Sequence, residues 1–146
     1  MHHDLESLPC ACTALRKASR AMSRLYDEAL APAGLTTCQY AILRHLARSG
    51  DLPLSRLAEL LVMDRTSLYR AIAGTERAGW VRIDSAGHGR TRIAVLTGSG
   101  RVAMDAATPL WAAAQGRIVG AVGAAEWRAL AGSLGELTAI AVRDAP

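Results

Sequence analysis

The sequence predicts a mainly α-helical fold with a small β wing, and three observations predict it. Two short helical runs, residues 55–61 (SRLAELL) and 65–79 (RTSLYRAIAGTERAG), stand almost back to back, with only Val62, Met63 and the capping residue Asp64 between them. Helices joined by a turn of three or four residues form a helix-turn-helix. Directly afterwards WVRID and TRIAVL have strand character on either side of the glycine-containing basic turn SAGHGR. Amphipathic helical segments flank this unit at both ends. At 146 residues and 51% hydrophobic, the chain is one domain in size with ample material for a core. The expected layout is a winged helix-turn-helix lobe at residues 36–97 and a helical dimerisation lobe built from residues 10–34 with 98–143.

Each element has its own local reason. Leu15, Ala18, Met22, Leu25 and Ala29 recur at three and four residues, the spacing of a helix over residues 13–30. APAG, residues 31–34, closes it with a proline and a glycine. LTTCQYAILRHLARSG opens a second helix with Thr36 and Gln39 at capping-box spacing and ends it on Gly50. Ser55 is expected to cap the third helix and Asp64 the fourth. On the fourth, Leu68, Ala71, Ile72 and Ala78 fall toward one face and are expected in the core. Two strands follow, and Thr97 then restarts helix, its first part made irregular by Gly98, Gly100 and Pro109. Residues 124–142 read as a cleaner amphipathic helix, with Trp127, Leu130, Leu134, Leu137 and Ala141 near one face and Ile140 at its edge. Helices so apolar outside the wing-bearing lobe need a partner, and a two-fold homodimer is expected.

The other side of the fourth helix carries Arg65, Thr66, Ser67, Tyr69, Arg70, Gly74 and Arg77. Arginine forks onto guanine, and hydroxyls reach base edges or phosphates. From Arg65 to Arg92 there are six arginines and two acids, Glu76 and Asp84, so the formal charge of +4 is concentrated in this stretch. The expected partner is double-stranded DNA, read at a pseudo-palindromic operator with half-sites about one turn, ~34 Å, apart. Arg90, at the tip between the strands, is expected to reach the backbone or minor groove of the flanking duplex. Arg82 and Arg92 could touch phosphates or only solubilise the strands, and they read as spectators beside Arg90.

GLTTCQYAILRHLARSGDLPLSRLAELLVMDRTSLYRAIAGTERAGWVRID, followed by GRTRIAVLTGSG, resembles the MarR family of dimeric winged-helix repressors. The elements come in that family's order: LTxxQ opening a helix, L-A-x-x-L in the next, a D-R-T-S-L recognition helix, the wing, and a helix starting at LT. The resemblance runs from about Cys10 to Val142 and implies a homodimeric transcriptional regulator, in the usual case a repressor. Within the first helix, C-x13-Y enclosing ASRAMSRLY is similar to the organic-hydroperoxide-sensing branch of the family. That likeness implies a sensing cysteine at Cys12 and a thiolate-holding tyrosine at Tyr26. This sequence departs from the branch in three places. The second tyrosine position is Arg16, the acid of the wing is His88, and no cysteine lies beyond Cys38.

Apart from any family, Cys12 is expected in the first turn of its helix, where the dipole favours a thiolate. Arg16, four residues on, shares its face. Both lower a thiol pKa, and the thiolate is the form that reacts with peroxide. Tyr26 lies roughly 21 Å further along the helix, at ~1.5 Å per residue, so it meets a cysteine only across a dimer. The trigger is therefore read as an organic hydroperoxide at Cys12. The rival is a small phenolic or aromatic-carboxylate effector in a cleft that Arg16, Tyr40 and His45 would line. Cys10 and Cys38 read as small apolar residues or as thiols that condense with oxidised Cys12.

Other chemistries lack their residues. One C-x-C with scattered His2, His3, His45 and His88 does not make the repeated, closely spaced ligand pairs of a zinc site, so no metal or cofactor is expected. No nucleophile motif, phosphate loop or paired carboxylates suggest an enzyme, and Asp27-Glu28 reads as ordinary solvated helix surface. The polar, acidic MHHDLESLP start has no cationic, apolar leader, and no run approaches the ~18 apolar residues of a membrane span. With three cysteines confined to the first 38 residues, the expected location is the cytoplasm, without stable disulfides.

Overall fold

The computed structural model describes residues 5–87 and 90–145. Among the described residues, six α-helices and three strands follow a short turn at Leu5–Ser7: α1 (Ala11–Leu30), α2 (Thr37–Ser49), β1 (Leu52–Pro53), α3 (Leu54–Leu61), α4 (Arg65–Arg77), β2 (Val81–Ala86), β3 (Thr91–Leu96), α5 (Gly98–Val122) and α6 (Ala124–Arg143). The result is the mainly helical architecture with a small wing that the sequence predicts. Two compact units divide it, one running to Trp111 and one starting at Ala112.

Local chemistry sets the helix ends. Leu30 leads into a 3-10 turn, Ala31–Ala33, which Gly34 closes at φ 76°. The capping box of α2 is complete: the Gln39 amide donates to Thr36 Oγ1 (3.2 Å), and the Thr36 amide donates to Gln39 Oε1 (2.9 Å). Asp64 caps α4, accepting from the Ser67 amide at 2.8 Å. Ser55 does not cap α3. Leu52 and Pro53 pair with Ala94 and Ile93 as a third strand, so the helix starts directly after Pro53 and Ser55 lies inside it. A two-residue strand without alternation leaves no signal in the sequence, and the sheet accordingly has three strands in the order β1-β3-β2 rather than two.

The core of the first unit lies between α2, α3, α4 and the sheet. Ile42, Leu43, Leu57, Leu68, Ile72 and Val81 are fully enclosed there. Helix α4 ends at Arg77, and this corrects its expected core face. Ala78 is exposed, whereas Thr75 is fully buried at i+7 from Leu68, its hydroxyl donating to the Ile72 carbonyl at 2.7 Å. A threonine enters the core because that bond satisfies its one polar group. Helix α5 also differs from expectation. It runs unbroken for 25 residues despite Gly98, Gly100 and Pro109. The Gly100 amide donates to Thr97 Oγ1 (3.0 Å), and Thr97 Oγ1 and Ser99 Oγ donate to the carbonyl of Gly79, both at 2.7 Å. These bonds bolt the start of α5 to the end of the helix-turn-helix.

The α3–α4 turn stores strain. Val62 adopts φ 52°, ψ 46°, a left-handed conformation that costs an L-residue about 1–2 kcal/mol and a β-branched one most of all. Its side chain is 59% exposed, so little packing offsets the cost. Val62→Gly is expected to raise stability by about 1 kcal/mol, read as a higher urea midpoint with unchanged slope. An unchanged midpoint would show that the turn relaxes without strain.

In the second unit, α6 has no buried residue. Trp127 and Leu134 are half-buried, while Leu130, Leu137, Ile140 and Val142 are 44–57% exposed. No helix among the described residues is long and apolar enough to cross a membrane.

Candidate nucleic-acid interface

Helix α4 presents its polar side outward because Leu68, Ile72 and Thr75 occupy the inward one. Arg65, Thr66, Ser67, Arg70 and Arg77 are exposed, and Tyr69 is half-buried at the edge of the core. The first turn is pre-set by its cap. Asp64 accepts from both the Ser67 amide and the Ser67 hydroxyl (2.8 Å each), which holds its carboxyl below the usual range. The Ser67 hydroxyl proton is thereby committed, and the oxygen keeps only acceptor capacity for a further partner.

Beside α4, a groove of about 370 Å³ is lined by residues that include Cys38, Gln39, Ser67, Arg70 and Arg77. The two helices approach closely at Gly74, where a Cβ would stand 3.2 Å from Gln39 Nε2. The start of α2 is held from the other side, since Asp27 of α1 accepts from the Thr37 amide at 2.6 Å. Asp27 is therefore a half-buried tie between two helices rather than solvated surface; Glu28 next to it is exposed. A link across ten residues of sequence leaves no pattern in it.

The sheet separates the two arginines read as spectators. On β2 and β3 the buried residues Val81 and Ala94 define the inward face, and alternation places Ile83, Ser85, Arg92 and Leu96 on that face with them. Arg92 stacks over the Tyr69 ring, 5.3 Å from its centroid. Arg82 faces away and grips Asp84 with two bonds, 2.8 and 3.0 Å, which draws the Asp84 carboxyl down. Arg82 is thus engaged within its own strand, whereas Arg92 reaches across to a ring of α4. Arg90 is exposed at the wing tip with φ 46°. His88 lies outside the described residues, as do His2 and His3.

At the other end of the first unit, Cys10 is the N-cap of α1 and Cys12 the second residue of its first turn, one turn before Arg16; all three are exposed. The amide and hydroxyl of Thr13 favour the Cys10 thiolate and lower that thiol, although the sulfur closes no capping hydrogen bond. Cys12 is singled out in the sequence by the family likeness, its place in the first turn and Arg16 on its face; the cap position of Cys10 is a separate signal, legible only once the start of α1 is fixed. Burial, with Asp27 nearby, pushes the half-buried Cys38 thiol up, and burial does the same to the hydroxyl of Tyr26. Among the described residues no three His, Cys, Asp or Glu side chains gather as a metal site.

Two adjoining hollows of about 140 and 180 Å³ lie between α2 and the first half of α5. Tyr40 and His45 line them as expected; Arg16 does not, and Arg44, Arg48 and Trp111 do. Arg44 lies 4.3 Å from the Trp111 ring centroid and 5.6 Å from that of Tyr40. The Tyr40 hydroxyl is 3.0 Å from Thr108 Oγ1. Arg44 and Trp111 were invisible as a pair because 67 residues separate them.

Comparison with known proteins places this geometry. Residues 33–91 match a family model described as MarR family. The chain is similar to the transcriptional regulator MosR of M. tuberculosis in complex with DNA, with TM-score 0.87 and 31% identity over 94% of this chain and 100% of that one. A second structure of MosR gives TM-score 0.81 and 35% identity over 92% and 96%. The fold is shared with Bordetella bronchiseptica BpsR, whose DNA binding is regulated by 6-hydroxynicotinic acid (TM-score 0.77, 19% identity, 94% and 98% covered). A comparison with curated proteins finds no match.

Proposed function

The chain belongs to the MarR family, and on that premise we propose that it is a homodimeric, DNA-binding transcriptional repressor whose affinity for its operator falls when the thiols at the start of α1 are oxidised. The observation that carries the DNA reading is the exposed, cap-fixed face of α4, which carries Arg65, Thr66, Ser67, Arg70 and Arg77 with Tyr69 at its edge; we read Arg90, exposed at the wing tip, as extending that surface. The likeness to MosR bound to DNA supports it. Arg70, in mid-helix, reads base edges; Arg90 steadies the flanking backbone. Arg70→Ala is expected to lower affinity about tenfold to a hundredfold and relax sequence preference, while Arg90→Ala weakens binding evenly across sequences. Affinities for two duplexes differing at one base pair separate the two effects.

The dimer reading rests on uncovered apolar surface. Leu15 and Met22 on α1 and Leu130, Leu137 and Ile140 on α6 are 38–48% exposed in the single chain. Apolar stripes on two long helices are stable in water only when covered, and a second copy is the cover that a two-fold supplies.

The redox reading rests on the chemistry of the CAC cap. The Cys12 thiolate attacks the peroxide O–O bond, taking one oxygen as sulfenic acid and releasing the alcohol after protonation. A second thiol, Cys10 or Cys38 of either chain or a cellular thiol, then displaces water to form a disulfide. Pairing of Cys12 with Cys10 requires opening of the first turn, which the Ala14 amide and Cys10 carbonyl hold at 2.9 Å. Arg16 supports the thiolate, and Tyr26 meets it across the dimer.

A second reading is favoured by the hollow at Tyr40, Arg44, His45 and Trp111, whose aromatic walls and cations suit a small phenolic or aromatic carboxylate. One experiment divides the readings: cumene hydroperoxide or salicylate is titrated into the DNA complex of wild type, Cys12→Ser, Cys10→Ser and Arg44→Ala. Oxidant release lost in Cys12→Ser supports the thiol trigger. Release by oxidant retained in both serine variants contradicts it, and salicylate release lost only in Arg44→Ala supports the effector.

A further inference from the structure

Among the described residues, a side-chain contact outside secondary structure and core joins the wing to the recognition helix. Arg92 is exposed, yet it sits on the sheet face shared with the buried Ala94, opposite Ser85 on β2, just where the strand runs past the edge of the core. A side chain there turns toward the helices, and the guanidinium ends 5.3 Å from the centroid of Tyr69 on α4. Tyr69 is half-buried and packs against the core. The ring thus touches both the core and a cation, and stacking on an aromatic ring favours a flat, delocalised guanidinium over an ammonium. Arg92 stands two residues from Arg90 at the wing tip.

Resting on the DNA reading above, we propose that Arg92 is a positioning residue for duplex recognition, acting through the Tyr69 ring to fix the wing against α4 rather than by touching phosphate itself. The stack sets the reach of Arg90 relative to the bases read from α4. It also restricts Tyr69 to one rotamer, so its hydroxyl is presented to the duplex without further loss of side-chain entropy on binding. Arg82, on the opposite face and tied to Asp84, serves as the contrasting arginine of the same wing.

The test uses duplexes that the wild-type protein selects from a random pool, with affinities for wild type, Arg92→Ala, Arg92→Lys, Tyr69→Leu and the Arg92→Ala/Tyr69→Leu double variant. Each alanine or leucine change is expected to cost about three- to tenfold in affinity. The double variant is expected to bind no more weakly than the worse single one, because both remove the same contact. Arg92→Lys recovers only part of the loss, and the salt dependence of Arg92→Ala matches that of wild type. Multiplying losses, with a salt slope shallower by about one phosphate contact, would assign Arg92 to the backbone and overturn the proposal. Undiminished affinity in Arg92→Ala would overturn it too. A pool from which wild type retrieves nothing would overturn the DNA reading and this one together, whereas retrieval with multiplying losses sinks this one alone.

Discussion

Leu137→Glu is expected to leave a folded monomer that binds a selected duplex at least roughly a hundredfold more weakly than the wild-type chain. Leu137 lies on α6, a helix without one buried residue, and is 44% exposed in the single chain. A carboxylate there disturbs no internal packing, so the far-ultraviolet spectrum should not change. In a two-fold interface built on this face it meets apolar surface, where neither hydration nor a partner compensates the charge. The loss in DNA affinity follows from linkage. Two half-sites on one duplex make the second contact intramolecular, and separating the protomers forfeits an avidity of about 10²–10⁴. Sedimentation velocity on the variant checks the first half of this expectation. A dimer that persists with full DNA affinity would place the interface elsewhere.

Gly100→Ala is expected to cost about 3 kcal/mol, at the upper end of what one extra methyl group does in a packed site. Gly100 is buried in the first turn of α5, and a Cβ there would overlap the Trp80 carbonyl oxygen and stand 2.9 Å from Leu96 Cδ1. The carbonyl cannot retreat freely, since it accepts the Thr97 amide at 3.0 Å. Relief comes only by prying α5 from the turn between α4 and β2, which also loosens the wing. Gly98→Ala, two residues earlier with nothing within 4 Å of a Cβ, is the control, and its expected effect is neutral or slightly stabilising. Urea melts of the pair decide it; equal midpoints would mean that the contact at Gly100 is absent in solution.

What was legible in the sequence follows from the range of the interaction responsible. Asp64 with Ser67 and Thr36 with Gln39 lie three residues apart, so the caps of α4 and α2 are written in adjacent letters and appear in the structure as read. The apolar spacing of Leu68 and Ile72 likewise marks the inward face of α4. Where a long-range partner decides, the letters are silent or misleading. Ser55 looks like a cap, but the pairing of Leu52 and Pro53 with β3 moves the helix start. The same holds at the candidate site. The arginine-rich face of α4 is visible as composition, whereas the Arg92–Tyr69 stack, the Arg44–Trp111 contact and the Asp27–Thr37 tie join residues 23, 67 and 10 positions apart. Glycines in α5 suggest irregularity by propensity alone. Gly100 is instead required by the close approach of Trp80, and the helix continues through it.

The account depends on two copies of the chain presenting α4 to one duplex. Sedimentation velocity of the wild-type protein mixed with a duplex it has selected, repeated at increasing salt, measures this directly. The expected result is a complex of two chains per duplex, with a log–log salt slope of roughly −5 or steeper from the arginines of both copies. A single chain per duplex, or no complex even in dilute salt, would contradict it.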